Sequence, residues 1–499
     1  MSGKSPFSVA MGISVVLLLA TLWLVTDHVT AVGGQDWDKH AAHSGLNSAL
    51  QSSDPVTAYL PLVVLNYPPP PPVFGVEINR GMVSSTISKT QEAGIWWVRY
   101  NGILWSEVEA TPGSRDWSKL AGVENELRAL SAQGLTPMVI VRGTPSWAQQ
   151  IPGYSCGPIK EDALDEFADF MYQVVARYSA EPYNVKYWEI WNEPDVDPRY
   201  VDASAPYGCW GDDNDAYYAG GYYADMLKQV YPAIKQADPQ AQVVFGGLLL
   251  ICDPDDPNPY PGTNGCKPAK FLEGALRNGG GPFFDILAYH AYPYWHPSMQ
   301  GDWDLNQLHW DHRGGVLLGK LDFIRAVFQK YGVSKPIIMN EGGLMCYSWD
   351  LNNPDCSTND FRDDQANYVV RLYTRTWANG ILGSTWYTLN GPGWRQGGLL
   401  DSNQAPRPSY NTLKFMATLL NGSSYRGQLS SGALEGYAFF NRSAQREYRV
   451  YWRNDSSSTL LMLPGGTVAV YNKFGQVVPP SGGKISIGFD PVFVVVEVP

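Results

Sequence analysis

Eight short apolar runs, each followed by an amphipathic stretch, occupy residues 73–420, and this alternation limits the chain to very few folds. The expected strands are Val73–Asn79, Ile95–Tyr100, Pro137–Arg142, Val185–Trp191, Gln242–Gly247, Phe284–His290, Lys335–Asn340 and Gly383–Leu389. Most are rich in Val, Ile, Tyr, Phe or Trp, as strands buried on both faces of a parallel sheet should be. Between them Leu164, Phe167, Ala168, Met171, Val174, Val175 and Tyr178 draw one apolar stripe at helical spacing. Further helices are expected over Ser118–Ala132, Tyr217–Lys235, Gly319–Lys330, Asp364–Trp377 and Tyr410–Leu420. The repeat predicts a (β/α)8 TIM barrel with long loops over 73–420. A doubly wound sheet fits less well, because no glycine-rich phosphate turn follows the first strand.

After Asn421 only strand patterns remain. Tyr437–Asn441, Tyr448–Arg453, Ser458–Leu463, Thr467–Lys473, Lys484–Ile487 and Val492–Val498 alternate between glycine-rich turns, predicting a small C-terminal β-sandwich over 421–499. Asn421, Asn441 and Asn454 each open an N-x-[S/T] triplet, a pattern that also arises by chance.

The apolar stretch Phe7–Val25 follows Lys4, so residues 1–31 read either as a signal peptide or as a membrane anchor. Both readings export the rest of the chain, which is expected at the cell surface or outside the cell, touching a membrane only through that anchor. Residues 32–72 read as a linker ending in the stiff proline run Pro68–Pro72. Six cysteines in an exported chain permit disulfides in several connectivities; the gaps suggest 346–356 and 252–266 as local staples, leaving 156 with 209. No CxxC or HExxH occurs, and no metal or other cofactor is expected. The acidic stretches Asp253–Asn258 and Asp212–Asp215 hint at calcium but lack its loop pattern. A net charge of −12, with no basic run, argues against a nucleic-acid partner. The 18 Trp and 30 Tyr suit surfaces that stack on sugars.

Barrel chemistry sits at the C-terminal ends of strands. The fourth strand closes in Trp191-Asn192-Glu193-Pro194 and the seventh in Met339-Asn340-Glu341-Gly342-Gly343, which sets two carboxylates across one mouth, with glycines that would let a ligand approach. Facing carboxylates are what glycoside hydrolysis needs: one protonates the leaving oxygen, and the other attacks or activates water. An ionised partner across the cleft should raise the pKa of the acid.

On these two strand ends the chain resembles glycoside hydrolase clan A, the retaining barrel enzymes with glutamates on strands four and seven; the likeness covers 73–420. The resemblance implies Glu193 as acid/base, Glu341 as nucleophile and Asn192 as ligand of the sugar 2-hydroxyl. It also implies roles for Arg99, which orients the nucleophile, for His290 and Tyr292 in a segment similar to the His-x-Tyr of the cellulase-like family, and for Trp386 as an aromatic platform. A structural ion pair is the lesser reading of Arg99, while His290, Tyr292 and Trp386 read equally as core groups. The tail Gly398-Leu399-Leu400-Asp401, Pro408-Ser409-Tyr410 and Asp490-Pro491-Val492-Phe493 is similar to the β-xylosidase/α-iduronidase family, whereas Asn-Glu-Gly-Gly departs from that family's Thr-Glu-Phe segment. The expected activity is hydrolysis of O-glycosidic bonds in a β-glycan or oligosaccharide. Glycosyl transfer on the same scaffold and a non-catalytic carbohydrate-binding barrel are the alternatives.

Overall fold

The computed structural model describes residues 72–256, 265–306, 309–350 and 352–498. The segment 1–31, the linker up to Pro71 and part of the Asp253–Asn258 stretch lie outside the described residues. Among the described residues no helix is long and apolar enough to cross a membrane.

Eight parallel strands close into a barrel: Phe74–Asn79, Trp97–Leu104, Thr136–Arg142, Tyr187–Asn192, Gln242–Leu248, Ile286–Ala291, Ile337–Gly342 and Ser384–Trp386. The first pairs with the eighth, Phe74 opposite Ser384, so no edge is left open. The stripe helix is Leu164–Tyr178, and all seven stripe residues are buried against the barrel. Two helices, Val83–Glu92 and Lys270–Arg277, were not expected; the second is short but amphipathic, burying Phe271, Leu272, Ala275 and Leu276. The first buries Val83, Thr86 and Thr90, and the threonine hydroxyls donate to carbonyls of their own turn. Its inner face is therefore polar by composition, and an apolar stripe never shows.

Inside the barrel the side chains form layers. Trp97, Met138, Val244, Ala288 and Ile338 fill the lower, apolar one. Gly75 belongs to the same level, and a Cβ there would stand 2.6 Å from that of Trp97. Two residues further along each strand, on the same inward face, stand Glu77, Arg99 and Glu189. Arg99 is thus interior to its strand, which runs on to Leu104, beyond the end expected at Tyr100.

Residues 423–497 form an antiparallel β-sandwich: a five-stranded sheet with Ser423–Gln428 at one edge, plus the pair Thr459–Met462 and Lys484–Ile487. The Ser423–Gln428 strand, SSYRGQ, was not expected, being polar on both faces. The sandwich lies on the helix Asn359–Ala378, where Arg375 donates to Glu435 at 2.8 and 2.7 Å and the rings of Trp377 and Phe439 stand 4.7 Å apart. That covering buries residues on most sides of the helix. Two of the triplet asparagines are engaged through their amide nitrogens, Asn454 donating to Glu435 and Asn441 to the Asn421 carbonyl. The disulfides are Cys156–Cys209, Cys252–Cys266 and Cys346–Cys356.

Candidate active site

Strand register assembles the site. Glu77 lies opposite Arg99 across the first two strands, and His290 opposite Glu341 across the sixth and seventh. The guanidinium of Arg99 is wholly buried and forks: Nε and one terminal nitrogen donate to both Glu189 oxygens at 2.9 Å, and that same terminal nitrogen reaches Asn192 Oδ1 at 2.7 Å. Its other terminal nitrogen donates to Glu77 and to Glu341. Three carboxylates around one cation leave an excess of negative charge. Glu77 absorbs it, because burial pushes its carboxyl up to about 8 and leaves it protonated at neutral pH.

The Tyr292 hydroxyl donates to Glu341, so both Glu341 oxygens meet donors, one from Arg99 and one from Tyr292. Across the mouth Glu193 Oε1 stands 2.7 Å from His290 Nδ1. Both Trp191 and Glu193 adopt left-handed backbone, at φ 74° and 48°. Such conformations cost about 1–3 kcal/mol each and are kept where the surroundings over-determine them. Here the surroundings are explicit: the Trp191 indole donates to the Cys156 carbonyl at 3.0 Å, and Asp195 accepts from the amides of Leu249 and Leu250.

Burial raises Glu193 to about 7, the nearby cations Arg99 and Lys320 oppose that rise, and Glu189 adds to it. The cause is therefore desolvation, and the expected push from the ionised partner across the cleft is not what shifts this group. Burial also depresses His290 to about 4, leaving its ring neutral at neutral pH. Lys320 secures the sixth strand from behind, donating to the carbonyls of His290 and Leu249 at 2.9 and 2.6 Å. Gly247 makes room for the imidazole, since a Cβ there would fall 2.1 Å from His290 Nε2.

Trp386 does not line the mouth. Its indole is fully buried against Gly343 and donates to the Gly397 carbonyl at 2.8 Å. The next residue, Tyr387, is half-buried and holds its ring 6.2 Å from that of Tyr292. Gly342 and Gly343 admit protein where ligand was expected: Cβ atoms there would meet the Ala291 carbonyl and the Trp386 ring. Sequence reasoning missed Glu77 and Glu189, although each is a lone charge inside an apolar strand, FGVEIN and YWEIWN, and a buried charge requires a partner. Tyr387, Asp195 and Lys320 carried no such signal.

Ligand atoms of Glu193, His290 and Glu341 all lie within 4.8 Å of one another, a spacing that could hold a metal ion. Arg99 already occupies Glu341 and would repel a dication there, so the set is better fitted to proton and carbon chemistry. The acids of the calcium-like stretches are engaged otherwise, Asp253 with Arg313 and His312, and Asp215 with the amides of Tyr217 and Ala219. A cavity of about 610 Å³ lined by Trp295, His296, Asp360, Asp363 and Asp364 contains none of the residues gathered at Arg99.

The closed barrel bearing a β-sandwich is similar in fold to solved glycoside hydrolases. A family 39 glycoside hydrolase from the gut symbiont Bacteroides cellulosilyticus superposes with a TM-score of 0.63 at 18% identity, over 86% of this chain and 81% of that one. A family 39 β-xylosidase from Caulobacter crescentus matches with a TM-score of 0.53 at 15% identity, over 86% and 96%. A family 30 endoxylanase from Clostridium papyrosolvens matches at 0.54 and 12% identity, over 86% and 97%. No family model matches the chain, and no curated protein does.

Proposed function

We propose that this protein is an exported retaining glycoside hydrolase that cleaves O-glycosidic bonds of a β-glycan or its oligosaccharides, with Glu193 as acid/base and Glu341 as nucleophile. The observation that carries this reading is the closeness of the two carboxylates, which have oxygens within 4.8 Å of each other. Retaining enzymes hold theirs roughly 5–5.5 Å apart, and inverting enzymes about 6.5–9.5 Å apart to admit a water.

In the first step Glu193 gives its proton to the leaving oxygen while a Glu341 oxygen forms a bond to the anomeric carbon. In the second, Glu193 takes a proton from water, and that water's oxygen displaces Glu341 from the same carbon. Burial that holds Glu193 near 7 suits a group that must give and regain one proton. Arg99 and Tyr292 fix the direction of Glu341, Arg99 also fixes Asn192 for the sugar 2-hydroxyl, and Tyr387 takes the platform role expected of Trp386. Three disulfides support an oxidising compartment. Similarity in fold to a β-xylosidase and an endoxylanase makes xylan-type glycans the first to try.

The test is a panel of nitrophenyl glycosides and β-glycans, followed by a matching 2-fluoro glycoside. Mass spectrometry should find the label on Glu341, and proton NMR should show the first product with the substrate's own anomeric configuration. An inverted first product would recast Glu341 as a base acting through water.

A further inference from the structure

We propose that Trp349 is the platform of a second sugar subsite, joined to the catalytic pair by a line of aromatic rings, so that the substrate is an oligo- or polysaccharide lying over the loop after the seventh strand. This deepens the glycosidase reading above and rests on it.

The line begins at Glu341, which accepts from the Tyr292 hydroxyl. The Tyr292 ring meets Trp394 at 5.4 Å and 79°, and Trp394 meets Trp349 at 5.5 Å and 61°. Exposure rises along it, from 7% at Tyr292 to 73% at Trp349. A single exposed tryptophan requires no explanation. This one, however, is held in place. The Arg395 guanidinium sits 3.7 Å from the centre of its ring, and Arg395 is itself 93% buried, being only 7% exposed. Arg395 donates to the Tyr347 carbonyl at 2.7 Å, and the Cys346–Cys356 bridge closes the loop that carries Trp349.

One face of the indole is thus backed by a cation while most of its surface remains open to water. A flexible indole would lose freedom on binding, whereas a fixed one has already lost it. The apolar C–H face of a pyranose is the complement of such a ring, because it covers aromatic carbon and leaves the sugar hydroxyls in water. The rings step away from the nucleophile, so a sugar on Trp349 belongs to the chain whose other unit is being cut.

The experiment compares wild type with Trp349→Ala and Trp349→Phe on nitrophenyl monoglycosides and on a ladder of β-1,4-linked xylo- and gluco-oligosaccharides. For Trp349→Ala the ratio of kcat/KM on the longest oligosaccharide to that on the monoglycoside should fall roughly 10-fold or more, mostly through KM. Trp349→Phe should recover part of it. The same ladder is titrated by calorimetry into Glu193→Gln and into Glu193→Gln/Trp349→Ala, where weaker binding of long oligosaccharides by the double variant is expected. Equal losses on all substrates, equal binding by the two proteins, or no binding by either overturns the platform. A wild type that turns over no glycoside, with the binding difference intact, overturns the glycosidase reading and leaves the platform standing.

Discussion

The imidazole of His290 places Nδ1 2.7 Å from Oε1 of Glu193, deep at the end of the sixth strand. Burial lowers His290 to about 4 and raises Glu193 to about 7. Between those values both groups are neutral, and the only proton at their contact that can be given away belongs to the glutamic acid. The other ring nitrogen, Nε2, stands 3.8 Å from Glu341, so the imidazole lies between the two carboxylates.

A raised carboxyl loses its proton as pH climbs through the folded value, so turnover limited by leaving-group protonation should fall above about 7. Substrates whose leaving group needs no proton should be spared. Glu193→Ala should lose about 10²–10⁴-fold on poor leaving groups, keep glycosylation of activated ones, and regain turnover with added azide. Equal loss on both substrate types without rescue would take Glu193 out of this role.

Around Arg99, two substitutions should behave in opposite ways. Arg99→Lys cannot fork to Glu77, Glu189, Asn192 and Glu341 together, and should lower kcat/KM by about 10²-fold and stability by about 3–5 kcal/mol. Glu77→Gln mimics the protonated acid and should be tolerated near neutrality. A raised folded pKa means the Glu77 proton stabilises the native state below about 4.5, and this contribution is lost as pH rises through about 8. Urea melts across that range should show a shallower alkaline decline for Glu77→Gln than for wild type.

Cys156–Cys209 spans 53 residues and braces the acid/base strand, because Cys156 accepts from the Trp191 indole while the Gly208 amide donates to the Asn192 carbonyl. Replacing both cysteines by serine should cost about 4 kcal/mol from loop entropy. Activity should fall as well, if the bridge positions Glu193. Unchanged kcat/KM at reduced stability would leave the bridge a purely structural role.

Truncation after Leu420 removes Glu435 from Arg375 and uncovers Trp377, so it should lower solubility or the melting temperature more than it alters specificity. Glu435→Ala alone should cost about 1–3 kcal/mol, since Arg375 loses two charged hydrogen bonds but keeps Asp302 and Asp304. Arg375 and its neighbours hold the Glu435 carboxyl down at about 2, so its contribution is present above about 4.5 and lost only as pH falls toward 2. A truncated barrel with unchanged melting but lost polysaccharide binding would make the sandwich a binding module.

Much of this was legible along the chain. Strand and helix periods are properties of a few neighbouring residues, so the eight strands and the Leu164–Tyr178 stripe could be read directly, as could the two glutamates at strand ends. Where composition hid the period, as with the threonines of Val83–Glu92 or the polar strand Ser423–Gln428, the element was missed.

The sequence by itself determined the alternation, the change to strands after Asn421, and the placing of Glu193 and Glu341 at one end of the barrel. Tertiary structure alone decided that Glu77, Glu189 and Glu341 share one arginine, because only closure and register bring strands one, two, four and seven together at that level. It decided that Trp386 is buried while Tyr387 stands beside Tyr292, since side chains alternate along a strand and the phase near its end is set by a register shift. It also decided that burial, and not a facing charge, raises Glu193. Depth in a low-dielectric mouth is a property of everything packed around a residue, and no run of neighbours along the chain encodes it.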